Sequence, residues 1–358
     1  MLFADVLEIK NGRNQRAVEN PNGVYPIYGS GGVMGYADDF ICQAQTVVIG
    51  RKGNINKPIF VDVPFWNVDT AFGLEAKRSV LLPKYLYYFC LRYDFERLNK
   101  AVTIPSLTKA DLLKIEIELP KLSVQEDIVS RLESIERVIS IRKQQLRTLD
   151  KLIKARFVEM FGSQKDNPLR FNVGTLKDVA DIYLGLTHTP TYVTEGKPFL
   201  SVRDISSGRI DFTNCHYISE QEFASLPNGA RPKPNDILFC RVGTIGKPVI
   251  IPEGTPEFGS FVSVGFLRKK NNVLNDYLKS WMEDPYFMRQ VYDNVAGASQ
   301  INLNTGWLRN FRILIPPIEL QKEFAAFVSQ VDKSKVVVQA ALDEVQLLFD
   351  SLMQQYFG

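Results

Sequence analysis

Two stretches of the chain place apolar residues in alternating steps of four and three. Between Gln125 and Phe161 the stripe runs Ile128, Leu132, Ile135, Ile139, Arg142, Leu146, Leu149, Ile153, Arg156 and Met160, broken only by its two arginines. At an offset of 196 the same phase returns as Phe324, Val328, Val331, Lys335, Val338, Leu342, Val345, Phe349, Leu352 and Tyr356, with Lys335 the one exception. A 3.5-residue period held over this distance predicts a helix whose narrow seam faces another helix along its length. Ser123 and Glu126 have the spacing of a capping box, no proline interrupts the first stretch, and Gly162 supplies a stop. Each helix would span roughly 55 Å at ~1.5 Å per residue. Because the stretches are internal repeats, a pseudo-twofold relation is expected to pack them on one another as an antiparallel coiled coil. The charges at Arg142, Arg156 and Lys335 are expected either to meet an acidic group and fix register or to reach past the seam to solvent.

The repetition extends beyond the stripes. Leu119-Pro120 and Gln125 reappear as Ile315-Pro316 and Gln321, and Met160-Phe161-Gly162 as Tyr356-Phe357-Gly358. Phe3, Asp5, Val6, Ile9 and Gly12 match Leu176, Asp178, Val179, Ile182 and Gly185 at an offset of 173. The stretch Arg51-Lys52-Gly53-Asn54-Ile55-Asn56-Lys57-Pro58 matches Arg241-Val242-Gly243-Thr244-Ile245-Gly246-Lys247-Pro248 at an offset of 190. Changing offsets mean insertions between fixed landmarks, so two copies of one frame carry different fillings. Short β-branched runs such as Thr46–Gly50 and Pro248–Pro252 read as strands, and Pro83–Tyr93 and Leu274–Tyr292 as short helices. The chain is therefore predicted to be α+β, with globular parts at 1–119 and 163–315 alternating with long helices at 120–162 and 316–358.

At 358 residues there is material for two cores, and no low-complexity tract suggests disorder. A net charge of +3 is only mildly basic, so a nucleic-acid footprint would have to be local or shared with partners. Cys42, Cys90, Cys215 and Cys240 are far apart with no C-x-x-C pair, which points to reduced thiols and away from a zinc site. The early acid in Met1-Leu2-Phe3-Ala4-Asp5 argues against a secretory leader, and no apolar run is long enough to span a membrane, so a cytoplasmic location is expected.

The ordered and duplicated landmarks resemble the specificity subunit of type I restriction-modification systems. They are Tyr25-Pro26-Ile27-Tyr28-Gly29-Ser30-Gly31-Gly32, the two R-x-G-x-I-x-K-P stretches, Pro64-Phe65-Trp66-Asn67-Val68-Asp69-Thr70, Ile104-Pro105-Ser106-Leu107-Thr108, and the Pro120/Gln125 and Pro316/Gln321 helix entrances. The resemblance covers essentially the whole chain. It implies two target-recognition domains held apart by the helices, a split double-stranded DNA site, two methyltransferase subunits and restriction or translocase subunits as partners. It also implies that S-adenosylmethionine, ATP and magnesium belong to those partners and that this chain carries no cofactor, no metal and no catalytic residue. The second domain has no counterpart of Tyr-x-Gly-Ser-Gly-Gly, so the two are expected to read different sequences.

Phosphates call for Lys, Arg and backbone N–H groups, and base edges for amides, hydroxyls and arginines on a rigid scaffold. On that chemistry the candidate DNA contacts are Tyr28, Ser30, Arg51, Lys52, Asn54, Asn56, Lys57, Thr103, Ser106, Thr108 and Lys109 in the first domain. In the second they are Thr187, His188, Arg203, Arg241, Thr244, Lys247, Gln300, Asn302 and Asn304. Each has a plainer alternative, as a turn glycine's neighbour, a helix cap or a solvated cation. Gly243-Thr244-Ile245-Gly246-Lys247 is not a nucleotide-binding loop, since Arg241 and Pro248 stand where that motif needs Gly and Ser or Thr. Two other functions compete. One is a coiled-coil protein-binding adaptor. The other is a metal-dependent nuclease built on Asp69 and Glu75-Ala76-Lys77.

Overall fold

The apolar stripes are buried where their period places them. The first long helix runs Leu122–Phe161 and the second Ile318–Phe357, 40 residues each. Every stripe position from Ile128 to Met160 and from Phe324 to Tyr356 is buried or half-buried, while Ile141, Leu152, Val336, Val337 and Leu347, off the stripe, are exposed. The computed structural model describes residues 1–99, 104–294 and 301–358. It divides into one unit of Met1–Gln144 with Gln339–Gly358 and another of Gln145–Val338.

Each unit contains the beginning of one long helix and the end of the other. In the first, Ile128 and Leu132 share a core with Phe349, Leu352, Met353 and Tyr356. In the second, the rings of Phe157 and Phe161 lie 5.6 and 5.4 Å from Phe324, and Lys335 bonds Asp150 at 2.8 Å. Within both units, then, the two helices pack antiparallel.

The globular part of the first unit is built on an antiparallel sheet of β1 (Leu7–Asn11), β4 (Thr46–Gly50), β5 (Ile59–Val61) and β7 (Ala71–Ala76), in the order β1-β7-β4-β5. Beside it a small sheet joins β2 (Tyr25–Gly29), β3 (Gly32–Ala37) and β6 (Trp66–Asn67), with β2 and β6 parallel. The second unit repeats the main sheet as β8 (Ala180–Leu184), β10 (Ile237–Cys240), β11 (Val249–Ile250) and β13 (Val264–Lys269), in the order β8-β13-β10-β11. Its parallel pair is β9 (Lys197–Leu200) with β12 (Gly259–Ser260). All residues of β4 and of β10 are buried, as expected of central strands covered on both faces.

The repeat also holds side chain by side chain. Tyr85, on the short helix Pro83–Arg92, donates its hydroxyl to the Glu118 carbonyl at 3.2 Å and packs 4.9 Å from Phe357. Tyr277, on the helix Asn275–Glu283, donates to the Leu314 carbonyl at 2.8 Å and packs 4.8 Å from Phe161. The end of each long helix is thus fastened to the short helix of the opposite repeat. Gly12 and Gly185 mark the same backbone crossing: a Cβ would lie 1.8 Å from the Val68 carbonyl oxygen in one and 2.3 Å from that of Phe261 in the other.

Two expectations need correction. The first long helix begins at Leu122, so Ser123 lies inside its first turn and is not the N-cap. The stretch Leu274–Tyr292 is two helices, Asn275–Glu283 and Pro285–Asn294, because Asp284 is extended and Pro285 cannot continue the hydrogen-bond ladder. Gly162 does end the first long helix, at φ 66°.

Candidate nucleic-acid interface

The R-x-G-x-I turns follow the central strands β4 and β10 and are shaped by their fixed residues. Gly53 and Gly243 sit at φ 79° and 72°, where a side chain would be strained. In the first domain Ile55 plugs the turn into the core at 1% exposure, leaving Arg51, Lys52 and Asn54 on the surface.

In the first unit three of the predicted segments come together at this turn. The Leu107 N–H donates to the Arg51 carbonyl at 2.9 Å and the Gly53 N–H to that of Pro105 at 3.0 Å, so Lys52 and Ser106 face each other as a β-bridge. The hairpin between β2 and β3 lies alongside: a Cβ on Gly31 would stand 3.9 Å from the Asn54 amide nitrogen, and one on Gly50 3.1 Å from the Ser30 Cβ. Ser30, Arg51, Lys52, Asn54 and Ser106 therefore form one surface.

The second unit builds the corresponding surface from a different filling. The Leu303 N–H donates to the Arg241 carbonyl at 2.9 Å, and Val242 bridges Asn302. The Arg241 N–H donates to Ser263, whose hydroxyl in turn accepts from the Val202 N–H at 3.3 Å. Leu186 pairs with Phe261 and accepts from the Val262 N–H, which brings the arm carrying Thr187 and His188 to the same place.

The side chains divide into those tied down and those open. The Arg241 guanidinium donates to the carbonyls of Leu303 and Val262, both at 3.0 Å, and to the Asn302 side chain at 3.3 Å; burial pulls its pKa down. Arg51, its counterpart, has one 3.5 Å contact to the Asp69 carbonyl and lies over the Phe72 ring. Asn56 accepts from the Phe95 N–H at 2.7 Å and donates to Asp94, and Lys109 donates to the Ile9 carbonyl at 2.7 Å. Thr108 and Asn304 cap short helices, accepting from Asp111 and Gly306. Arg203 holds Asp204 and the Asn214 carbonyl. The Tyr28 ring packs edge-on against Phe65, and burial raises its pKa. Among the described residues, the side chains of Ser30, Lys52, Asn54, Lys57, Thr187, His188, Thr244 and Lys247 form no hydrogen bond or ion pair within the protein. Thr103 and Gln300 lie outside the described residues.

Three cations near Lys247 were not singled out by the sequence. Lys154, Arg209 and Lys279 line, with Lys247 and Lys335, a polar cleft of about 420 Å³ in the second unit whose wall also carries Asp150, Asp276 and Glu283. Lys154 and Lys279 stand on helix faces that read in sequence as ordinary solvated surface.

Glu75 accepts from the Gln43 N–H at 2.8 Å, and Lys77 donates to the Asp5 carbonyl at 2.8 Å, so both are engaged in local structure. Among the described residues no group of three His, Cys, Asp or Glu side chains is arranged to hold a metal ion. The four cysteines are buried and unpaired. No helix among the described residues is long and apolar enough to cross a membrane.

This duplicated architecture has relatives. The chain is 22% identical over 309 residues to the MjaVIII specificity subunit, a type I restriction enzyme component of Methanocaldococcus jannaschii, covering 81% of this chain and 70% of that one. It is 21% identical over 354 residues to the EcoBI type I specificity subunit of Escherichia coli, covering 87% and 73%. The fold is shared with the crystal structure of the type I restriction-modification S subunit from M. genitalium, at a TM-score of 0.62 and 17% identity over 100% of this chain and 95% of that one. The family described as the type I restriction modification DNA specificity domain matches twice, over residues 3–151 and 168–346. Its two matches fall on the two copies of the frame, and the chain belongs to that family of type I DNA specificity proteins.

Proposed function

We propose that this chain is the DNA-reading subunit of a type I restriction-modification assembly, binding a split duplex site through one recognition surface in each unit. The observation that carries the reading is a common frame with unlike fillings. The turn after the central strand and the loop bridged to it recur, whereas the third segment is a Gly-Ser-Gly hairpin in one copy and the Thr187-His188 arm in the other. A repeated frame gives both copies the same way of approaching a duplex. Different side chains on it give two different half-sites. Open cations and turn N–H groups would take phosphates, and Ser30, Asn54, Thr187, His188 and Thr244 would face base edges.

On this reading the chain performs no bond chemistry. Two methyltransferase subunits would bring S-adenosylmethionine, and restriction subunits would bring ATP and magnesium, in the cytoplasm where DNA is accessible. A net charge of only +3 suits a protein whose partners share the phosphate contacts. Long-read mapping of methylated bases in the host genome, with and without this gene, tests the assignment. A split motif that disappears on deletion is expected, and an unchanged methylome overturns it. Incubating the purified chain with magnesium and plasmid should leave the DNA intact; nicking or cleavage would restore the nuclease reading.

A further inference from the structure

Two buried glutamines, one per repeat, occupy the points where the chain turns from a globular part into a long helix. Gln125 and Gln321 are both fully buried. The Gln125 carbonyl oxygen accepts from the Leu82 N–H at 2.9 Å, and its amide donates to the carbonyls of Val80 and Pro120, each at 2.9 Å. Gln321 accepts from the Leu274 N–H at 2.9 Å and donates to the carbonyls of Asn272 and Pro316 at 3.2 and 2.9 Å. Leu82 and Leu274 are the N-cap residues of the two short helices and have no polar side chain for that role. The glutamine of another helix accepts instead from the N-cap residue's own backbone N–H, the bond that the N3 side chain makes in a capping box.

The other contacts joining long helix to globular part are mainly apolar, as in the cores that hold Ile128 and Leu132 or Phe324 and Val328. Apolar packing is non-directional and tolerates small rotations, whereas hydrogen bonds weaken steeply off axis. Three bonds from one side chain to three separate backbone points oppose rotation about the Pro120 or Pro316 bend as well as separation. Resting on the proposed function, we infer that Gln125 and Gln321 are positioning residues: each sets the angle at which its recognition domain stands on its long helix, and thereby the spacing at which the two half-sites are accepted.

The test substitutes each glutamine in the full chain, expressed in its host with the resident partner subunits, and maps methylated sites by long-read sequencing. Q125E and Q321E keep the side-chain length and the acceptor but turn lone pairs toward the two carbonyls. Each variant is expected to keep the bases read in both half-sites while raising methylation at least tenfold at sites whose gap differs by one base pair. An unchanged gap preference in a folded variant, with or without a lower melting temperature, overturns the inference, as does a change in the bases read. If neither glutamate variant accumulates as folded protein, Q125M, which removes the bonds without adding charge, is mapped instead. Loss of folding there as well would also overturn it, since the residue would then be merely structural. A wild-type map with no split motif would instead remove the proposed function, which separates the two failures.

Discussion

Arg51 and Arg241 occupy the same place in the repeat and do different work. Arg51 is nearly free, so Arg51→Ala should leave thermal stability unchanged and weaken binding to all duplexes alike. The slope of log K against log salt should fall by about 0.9, the share of one phosphate contact; an unaltered slope in a salt titration would take Arg51 out of the interface. Arg241→Ala removes two part-buried hydrogen bonds to carbonyls and an exposed one to Asn302, and should cost about 2 kcal/mol in a denaturant melt. Nothing in the sequence separates these arginines, because the groups that hold Arg241 lie 21 to 62 residues away. The same is true of Lys109, whose ammonium is held by a carbonyl 100 residues back. Asp276 makes a further case at this scale. Burial raises its pKa, so between the unfolded and the folded value the folded protein binds a proton there more readily than the unfolded chain does. Stability contributed in this way is present at low pH and is lost as pH rises through the raised value. Asp276→Asn should therefore raise the melting temperature at pH 7, by an amount that shrinks toward zero below about pH 4, the unfolded carboxyl range. An equal effect at both pH values would mean that the carboxylate is not penalised.

The long helices were the most legible elements, since their 3.5-residue period is a property of the chain alone. What the sequence could not decide was the fate of the charges on the seam. Lys335 reaches across to Asp150 at 2.8 Å and along its own helix to Asp332 at 3.1 Å, and Arg156 lies over the Phe327 ring of the facing helix. Asp150 is 64% exposed, so solvent screens the pair and it contributes little, about 0.5 kcal/mol. Lys335→Leu should change stability by less than about 1 kcal/mol, while Leu132→Ala, at a fully buried position of the first helix, should cost about 3 kcal/mol. A larger loss at Lys335 than at Leu132 in urea melts would show that the ion pair, and not apolar burial, holds the helices together. The ends of elements were less legible. Ser123 and Glu126 have the spacing of a cap, yet the polar contacts at the helix entrance come from Gln125 bonding to groups 43 and 45 residues earlier in the chain.

At the scale of the whole molecule, the repeat was legible where its landmarks are short and fixed, and illegible where insertions fill the frame. Residues 186–235 of the second unit contain an added strand, Tyr192–Val193, antiparallel to His216–Ile218, and a helix at Glu220–Ser225 that no residue of the first copy foretells. The chain passes from one unit to the other along the first long helix and returns along the second, so helix length is the variable through which the unread gap would be set. Four residues added to the first long helix advance it by about 6 Å and turn it by about 40° beyond a full circle. One base pair advances a duplex by about 3.4 Å and turns it by about 36°. The rotation matches one step of DNA and the rise nearly two. The insertion also shifts the seam beyond it by half a residue against the 3.5-residue repeat, a change that a coiled coil absorbs by local unwinding. A chain lengthened after Gln144, mapped in its host, should read the same two half-sites across a gap longer by one or two base pairs. Methylation confined to the original gap would mean that the helices do not measure the distance between the half-sites.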